Sequence, residues 1–288
     1  MIPSPPSPAP TSEGRGIRGH LHLVCAPDSR GVPILRKQSF RAPIHLSKPH
    51  WDAETLVVNL INPTAGLLED DRIEMGVTVL NGARLLLTSP SASRAHRVRN
   101  GWAEVIQDFR VQSSGFLEVL PEMFIPQAGA VYRQRTTLNV DEGAELLFFE
   151  SLAPGRVASG EIFQYTSLNW DTELRVGGQH LIWERYQIEP GSPTLTGLQR
   201  VFPTAYYGSL IAVSTKLGCA DSCWETLRAL QSANVWIGHS PLAYPGAWSI
   251  KWITSDARSL RATQNEIRRV LYASLGCGMP DLRRIAGR

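Results

Sequence analysis

The stretch RIEMGVTVL (72–80), followed by Asn81-Gly82 and ARLLLTS (83–89), decides the fold. Ile73, Met75, Val77 and Val79 fall on one side of an alternating run, and Arg72, Glu74 and Thr78 on the other. Period two describes a strand with one buried face. Asn-Gly is the dipeptide of a tight hairpin turn, so ARLLLTS is expected to run back as the return strand. The same grammar recurs on both sides. Asn100-Gly101 separates RAHRVR from WAEVIQDFRV, and Ser113-Ser114-Gly115 precedes FLEVLP. VYRQRTTLNV (131–140) sets Tyr132, Thr136, Leu138 and Val140 on one side, then turns at Asp141-Glu142-Gly143 into AELLFFES. Gly177-Gly178 splits YTSLNWDTELRV from QHLIWERYQI.

Turn signals thus recur between 81 and 143 with strands between them, a pattern that suits a sheet sandwich or a solenoid-like stack. No strict repeat of fixed period is present, which speaks against a regular solenoid. The last quarter changes character. DSCWETLRALQSA (221–233) has helical spacing at Cys223, Leu227 and Leu230, with Asp221 as N-cap. SDARSLRATQNEIRRVLYASLG (255–276) is a longer helix with an apolar stripe of Leu260, Ile267, Val270 and Leu271, opened by Ser255 and closed by Gly276. WSIKWIT lies between them as a strand. The expected fold class is therefore mainly β, a stacked-sheet domain, with a small α+β C-terminal part containing two helices. Residues 16–212 are β-rich, 213–288 contain the helices, and the Pro/Ser-rich segment 1–15 is expected to be a disordered tail.

The chain has 288 residues, 43% hydrophobic and 19% charged, which excludes an intrinsically disordered protein and permits a full core without staples. No run approaches the ~20 apolar residues of a membrane span, and the N-terminus lacks the apolar region of a signal peptide. A cytoplasmic address is the expectation. The four cysteines, 25, 219, 223 and 277, are expected to be free thiols. Cys219 and Cys223 offer two soft ligands or pack on one helix face, with no second pair to complete a zinc site. His20 and His22 share one face if 20–24 is a strand, and so share a metal or are simply exposed. The net charge is +3, with 25 Arg against 4 Lys. Arg is the bidentate partner of carboxylates and of nucleic acid, so a basic β-domain that binds nucleic acid is one alternative function, weakened by the modest net charge and the absence of a binding motif.

No nucleophile elbow, phosphate loop or zinc-protease signature is present. Three segments stand out instead. NPTAGLLEDDRI (62–73) combines turn chemistry with an acidic run; Asp71 and Arg72 are expected to fix a bend through a charge-assisted bond, while Glu69, Asp70 and Asp71 together could take a hard cation. TSPSASRAHRV (88–98) is expected to be an edge strand with Arg97 and Arg99 on one face, an Arg-based docking surface or gatekeeping charges. FFESLAPGRVASGEIF (148–163) sets Glu150 and Glu161 about Gly155 and Gly160, with Arg156 placed to bridge the two carboxylates. A small hydrolase built on Glu150 and Glu161 is a third reading, without a nucleophile to complete it.

These segments, in this order, resemble the urease accessory protein UreD (UreH) family. Gly66, Asp71 and Arg72 match its first element; Thr88, Ala92 and Arg97 match the second, with Arg94 for Lys and His96 for Tyr; LEVLP (117–121) and the pair Arg133 and Arg135 follow. The element E-x-x-x-x-G-R-x-A-x-G-E is present in full, as Glu150, Gly155, Arg156, Ala158, Gly160 and Glu161. Ala65 and Asp70 stand where the family has glycine, and the chain ends with Arg284-Ile285-Ala286 where the family tends to have P-R-I-W. Asp tolerates the left-handed conformation, so the turn at Asp70 is expected to survive. The resemblance spans about 16 to 285 and implies a single solenoid-like β domain over 16–288. It implies a non-enzymatic scaffold or metallochaperone that joins UreF and the GTPase UreG on apo-urease. Ni²⁺ in transit, and no tightly bound cofactor, passes through a polar interior path. No membrane is involved, and a paralogue serving another client is the alternative within the family. Ni²⁺ takes imidazole, carboxylate and water ligands, and a path must bind weakly at several points. Asp71, Glu150 and Glu161 are the candidate stations. Gly66, Arg72, Thr88, Arg133, Arg135, Gly155, Arg156 and Gly160 are expected to be structural, and a structural role of the three carboxylates with Arg72 and Arg156 competes with the nickel role.

Overall fold

The structure, a computed structural model, describes residues 16–64 and 66–282. The expected tail, Ala65 and the end Arg284-Ile285-Ala286 lie outside the described residues. In chain order the strands are β1 (Arg18–Pro27), β2 (Pro33–Arg41), β3 (His45–Leu46), β4 (His50–Asp52), β5 (Thr55–Ile61), β6 (Arg72–Val79), β7 (Arg84–Thr88), β8 (Ser93–Ala95), β9 (Ala103–Val111), β10 (Phe116–Leu120), β11 (Phe124–Pro126), β12 (Val131–Val140), β13 (Glu145–Leu152), β14 (Ser167–Val176) and β15 (Gln179–Ile188). Helix α1 (Pro193–Val201), β16 (Tyr206–Val213), α2 (Cys223–Arg228), β17 (Val235–Pro241), β18 (Ala247–Thr254) and α3 (Ala257–Leu275) complete the order.

The chain winds as a solenoid-like stack of coils. One sheet has the order β15-β14-β12-β9-β6-β1-β2, and the second runs β17-β18-β16-β13-β10-β7-β5-β3. In the first, β1, β6, β9, β12 and β14 are mutually parallel. In the second, β5, β7, β10 and β13 are parallel. Leu56, Leu85, Leu117 and Leu146 stack in register at intervals of 29, 32 and 29 residues. Each coil thus takes about 30 residues, an irregular period that self-similarity in the sequence does not reveal.

The geometry corrects the hairpin reading of Asn81-Gly82. β6 and β7 belong to different sheets and do not pair. The turn instead carries the chain from one sheet to the other, as Asp141-Glu142-Gly143 does between β12 and β13. Gly177-Gly178, by contrast, joins an antiparallel pair, β14 and β15.

The burial patterns follow from the layering. The inner face of the first sheet packs on the second through Leu21, Ile73, Val77, Phe109 and Leu138, with Leu85, Leu117 and Phe148 opposite. Its outer face is solvated, so its strands alternate. The second sheet is covered on both sides: Val57, Leu86, Phe116, Leu147 and Phe149 meet Trp224, Leu260, Ile267 and Leu271 of the helices. That is why ARLLLTS and AELLFFES read as continuous apolar runs.

In the C-terminal part α3 forms as expected, with buried Leu260, Ile267, Val270 and Leu271 and Gly276 left-handed at its end. Its cap is Asp256 rather than Ser255; the carboxylate accepts from Ser259 N at 2.8 Å. Helix α2 is shorter than expected and opens at Ser222. A third helix, α1, falls inside the region read as purely β-rich. Its signal is Ser192-Pro193, an N-cap followed by Pro at N1. A buried ion pair docks α3 on the second sheet. Arg268 (2% exposed) and Glu118 (0%) form a two-pronged bond, and Tyr272 donates to Glu118 Oε2 at 2.6 Å. Among the described residues no helix is long and apolar enough to cross a membrane.

Candidate functional site

The third side of each coil is made of loops and the short strands β8 and β11, and the three unusual segments of the sequence meet there. Leu67 bridges Ala95, β8 pairs with β11, and Phe124 pairs with Leu152 of β13. Segments far apart in sequence are stacked neighbours because each occupies the same position in successive coils. The strand expected over 94–99 stops at Ala95.

The first segment is held by its carboxylates. Asp71 (4% exposed) accepts from Ile17 N at 2.7 Å and from Leu68 N at 2.8 Å, one bond on each oxygen. It does not pair with Arg72, as the sequence suggested. Arg72 bonds Glu74 at 2.9 Å and Glu104 at 3.0 Å on the outer face. Glu69 accepts from Arg99 N and Asn100 N at 2.8 and 3.0 Å, so its carboxylate ties the loop to the next segment through backbone amides. Asp70 is left-handed, φ 64°, as its replacement of glycine required. Gly66, φ 142°, lets the loop approach Arg94 closely: a Cβ there would meet Arg94 Cβ at 2.8 Å.

The last segment separates its two carboxylates. Glu161 accepts from Arg156 Nε at 2.8 Å and from Ala128 N at 3.0 Å. The Arg156 bond, then the Ala128 amide, pull its carboxyl down to about 2. Gly155 (φ 138°) and Gly160 (φ 74°) supply the positive φ that closes this loop. Arg156 does not reach across to Glu150. Glu150 points between the sheets instead, where Gln134 Nε2 and Trp170 Nε1 both donate to its Oε1, at 2.6 and 2.7 Å. Tyr132 OH in turn donates to Gln134 Oε1 at 2.8 Å, and Thr136 Oγ1 to Gln107 Oε1 at 3.1 Å. Among the described residues no donor is aimed at Glu150 Oε2. Burial pushes the Glu150 carboxyl up to about 7, against the opposing pull of its two hydrogen bonds.

Two cavities meet at Glu150. The first, about 160 Å³, runs beneath the stacked loops and is lined by Gly66, Thr88, Ser89, Ser93, Arg94, Gln107, Gln134 and Glu150. The second, about 120 Å³, continues past Tyr186 and Tyr207 to Leu195 and Leu198 of α1. Glu150, Ser151 and Trp170 line both. Glu150 is half-buried and lines both cavities. Each cavity has room for several waters.

Of the three candidate stations, only Glu150 therefore faces an interior space; Asp71 and Glu161 are engaged with amides and Arg156. Thr88 borders the first cavity and donates to Leu120 O at 2.6 Å. Arg133 lies on the outer face with its guanidinium 3.6 Å over the Trp102 ring, and Arg135 is exposed on the same face. Cys219 is exposed and Cys223 buried, so they do not act as a pair. No group of three or more His, Cys, Asp or Glu able to hold a metal ion occurs among the described residues. Gln134, Gln107 and Trp170 were not singled out in the sequence. Their signal was a polar or amphipathic residue on the buried side of an alternating strand.

The sequence profile described as UreD urease accessory protein matches residues 18–286. The urease accessory protein UreD of Opitutus terrae is 40% identical over 273 residues, covering 93% of this chain and 98% of that relative. UreD of Acetivibrio thermocellus is 30% identical over 172 residues, 59% of this chain and 66% of the relative. UreD of Paenarthrobacter aurescens is 29% identical over 226 residues, 75% and 77% respectively.

Proposed function

The chain belongs to the UreD family of urease accessory proteins, and from that premise we propose that it is a non-catalytic cytoplasmic scaffold for GTP-dependent insertion of nickel into apo-urease, acting with UreF and the GTPase UreG. Nickel is the cargo. It moves between the two sheets, through the cavities that share Glu150.

The observation that carries this reading is the position of Glu150 at the junction of two cavities, with both of its hydrogen bonds on one oxygen. A carboxylate oxygen beside water suits Ni²⁺, which accepts oxygen and nitrogen ligands. A single carboxylate holds the ion weakly, as a conduit demands, whereas a complete ligand set would trap it. The hydroxyls and amides of Thr88, Ser89, Ser93, Gln107 and Gln134 replace hydration along the first cavity. Asp71 and Glu161 serve this path indirectly, by fixing the loops that roof it.

The test is urease activity and nickel content in cells that carry the cognate urease cluster, with and without this chain. Loss of both with urease subunits still present, and restoration by the chain, supports a role in metallocentre assembly. Full activity without the chain contradicts it.

A further inference from the structure

The loop between β8 and β9 crosses from the stacked loops to the first sheet and is pinned on both sides. Arg97 bridges Ala130, and Val98 N donates to Gly129 O at 3.0 Å. Arg99 N and Asn100 N donate to Glu69, and Asp70 N donates to Trp102 O at 3.0 Å. The backbone is thus fixed while Arg97, Arg99 and Trp102 stay exposed. Gly129, φ 72°, leaves room for the Arg97 side chain: a Cβ there would meet Arg97 Nε at 3.0 Å. From β12 the Arg133 guanidinium stacks 3.6 Å over the Trp102 ring, and Arg135 is exposed two residues further on. Leu68, in the facing loop, is 53% exposed. Arg133 and Arg135 were expected to be structural, yet they face solvent.

The charges around this corner select the kind of partner. Elsewhere on the same sheet face Arg72 is held by Glu74 and Glu104, Arg110 by Asp108, Arg175 by Glu173 and Arg185 by Asp171. Among the described residues no carboxylate lies within ion-pair distance of Arg97, Arg99, Arg133 or Arg135. The neighbouring acids are engaged: Glu69 by two amides, Glu104 by Arg72, Glu161 by Arg156 and Asp171 by Arg185. Asp70, beside Gly101, offsets part of the charge and leaves a positive excess. Arg and Trp dominate binding energy at protein interfaces, and a pinned loop loses little freedom on docking. The stacked guanidinium keeps its N–H edge free for a bidentate carboxylate. It also covers the indole face that a nucleobase would need for stacking, and Asp70 repels a phosphate chain. A carboxylate-bearing protein surface therefore fits this corner better than nucleic acid. We propose that Leu68, Arg97, Arg99, Trp102 and Arg133 form a docking surface for an acidic face of the urease apoprotein. The surface is read from this geometry, whereas the identity of the partner rests on the proposed function.

The test is surface plasmon resonance binding of the purified cognate urease apoprotein to the accessory complex that contains the full chain. Arg133→Ala and Trp102→Ala are each expected to weaken binding about tenfold or more. Arg97→Glu combined with Arg99→Glu is expected to slow association about tenfold at low salt, with the difference shrinking at high salt. Arg110→Ala, on the same sheet face but already neutralised by Asp108, is expected to bind as wild type. The replaced side chains are exposed, so the variants keep the fold, and matching circular dichroism and melting curves verify this. Wild-type affinity in Arg133→Ala and in the double reversal overturns the proposal while the proposed function stands. A wild-type complex that does not bind urease at all contradicts the proposed function and the proposal with it. DNA binding by the wild type that the same variants abolish, with urease affinity unchanged, assigns the surface to nucleic acid and overturns the proposal.

Discussion

Glu150→Gln should change how stability depends on pH, and the sign follows from the site. Burial pushes the Glu150 carboxyl up to about 7 in the folded chain, above the ordinary carboxylate range to which it returns on unfolding. The folded state therefore holds the proton more tightly. Its contribution is fully present below the unfolded value, declines as pH rises from about 4.5, and is lost by the time pH has passed about 7. A rise of that size corresponds to about 3 kcal/mol once the carboxyl is fully ionised in the folded chain. Most of that falls between pH 5 and pH 8. Gln keeps the oxygen that accepts from Gln134 Nε2 and Trp170 Nε1 but never ionises. Urea unfolding of both proteins at pH 5, 6, 7 and 8 isolates this one group, because all other titrations cancel in the difference. The Gln variant should gain on the wild type by roughly 2 kcal/mol across that range. A difference that stays constant from pH 5 to 8 would refute the claim that Glu150 is held in a poorly solvated place.

Three further outcomes follow from the packing. Arg268→Ala leaves Glu118 buried without its partner and should cost about 3–5 kcal/mol, read as a lowered denaturant midpoint. Replacing both at once, Arg268→Met with Glu118→Leu, should recover most of that loss. Asp71→Asn turns one of two acceptors into a donor facing a backbone N–H, so it should cost about 1–3 kcal/mol and speed proteolysis near Leu68. Glu161 has a depressed folded value, so its contribution is present above the normal carboxylate range and fades as pH falls toward about 2. Glu161→Gln should therefore flatten the acid limb of the melting curve, and an unaltered limb would show that the Arg156 contact carries no stability.

The alternation at 72–80 and 131–140 was enough to read strands, and their buried sides are those the pattern chose. The partners of those strands were not legible. Asn81-Gly82 has hairpin chemistry, yet the same local bend serves a coil that passes to another sheet, and only the long-range register tells the two apart. The family motif brought Glu150 and Glu161 forward together, but Glu150 lies on β13 and points inward, while Glu161 lies beyond the loop and faces Arg156. Gln134 was within reach: it sits between Tyr132 and Thr136 on the buried side of β12, where a polar side chain needs a partner. Trp170 was not, because it meets Glu150 only through the stacking of the next coil. The Glu118–Arg268 pair spans 150 residues and has no local trace.

If cargo passes Glu150, its loss must show in the metal that urease receives. The most direct measurement is the nickel content of urease activated in the assembled accessory complex, with Glu150→Gln and Glu150→Ala compared with wild type and with complex formation verified for each. A marked fall in nickel per active site is expected for both variants while the complex remains intact. Wild-type nickel content in both variants, within a folded and assembled complex, would contradict it.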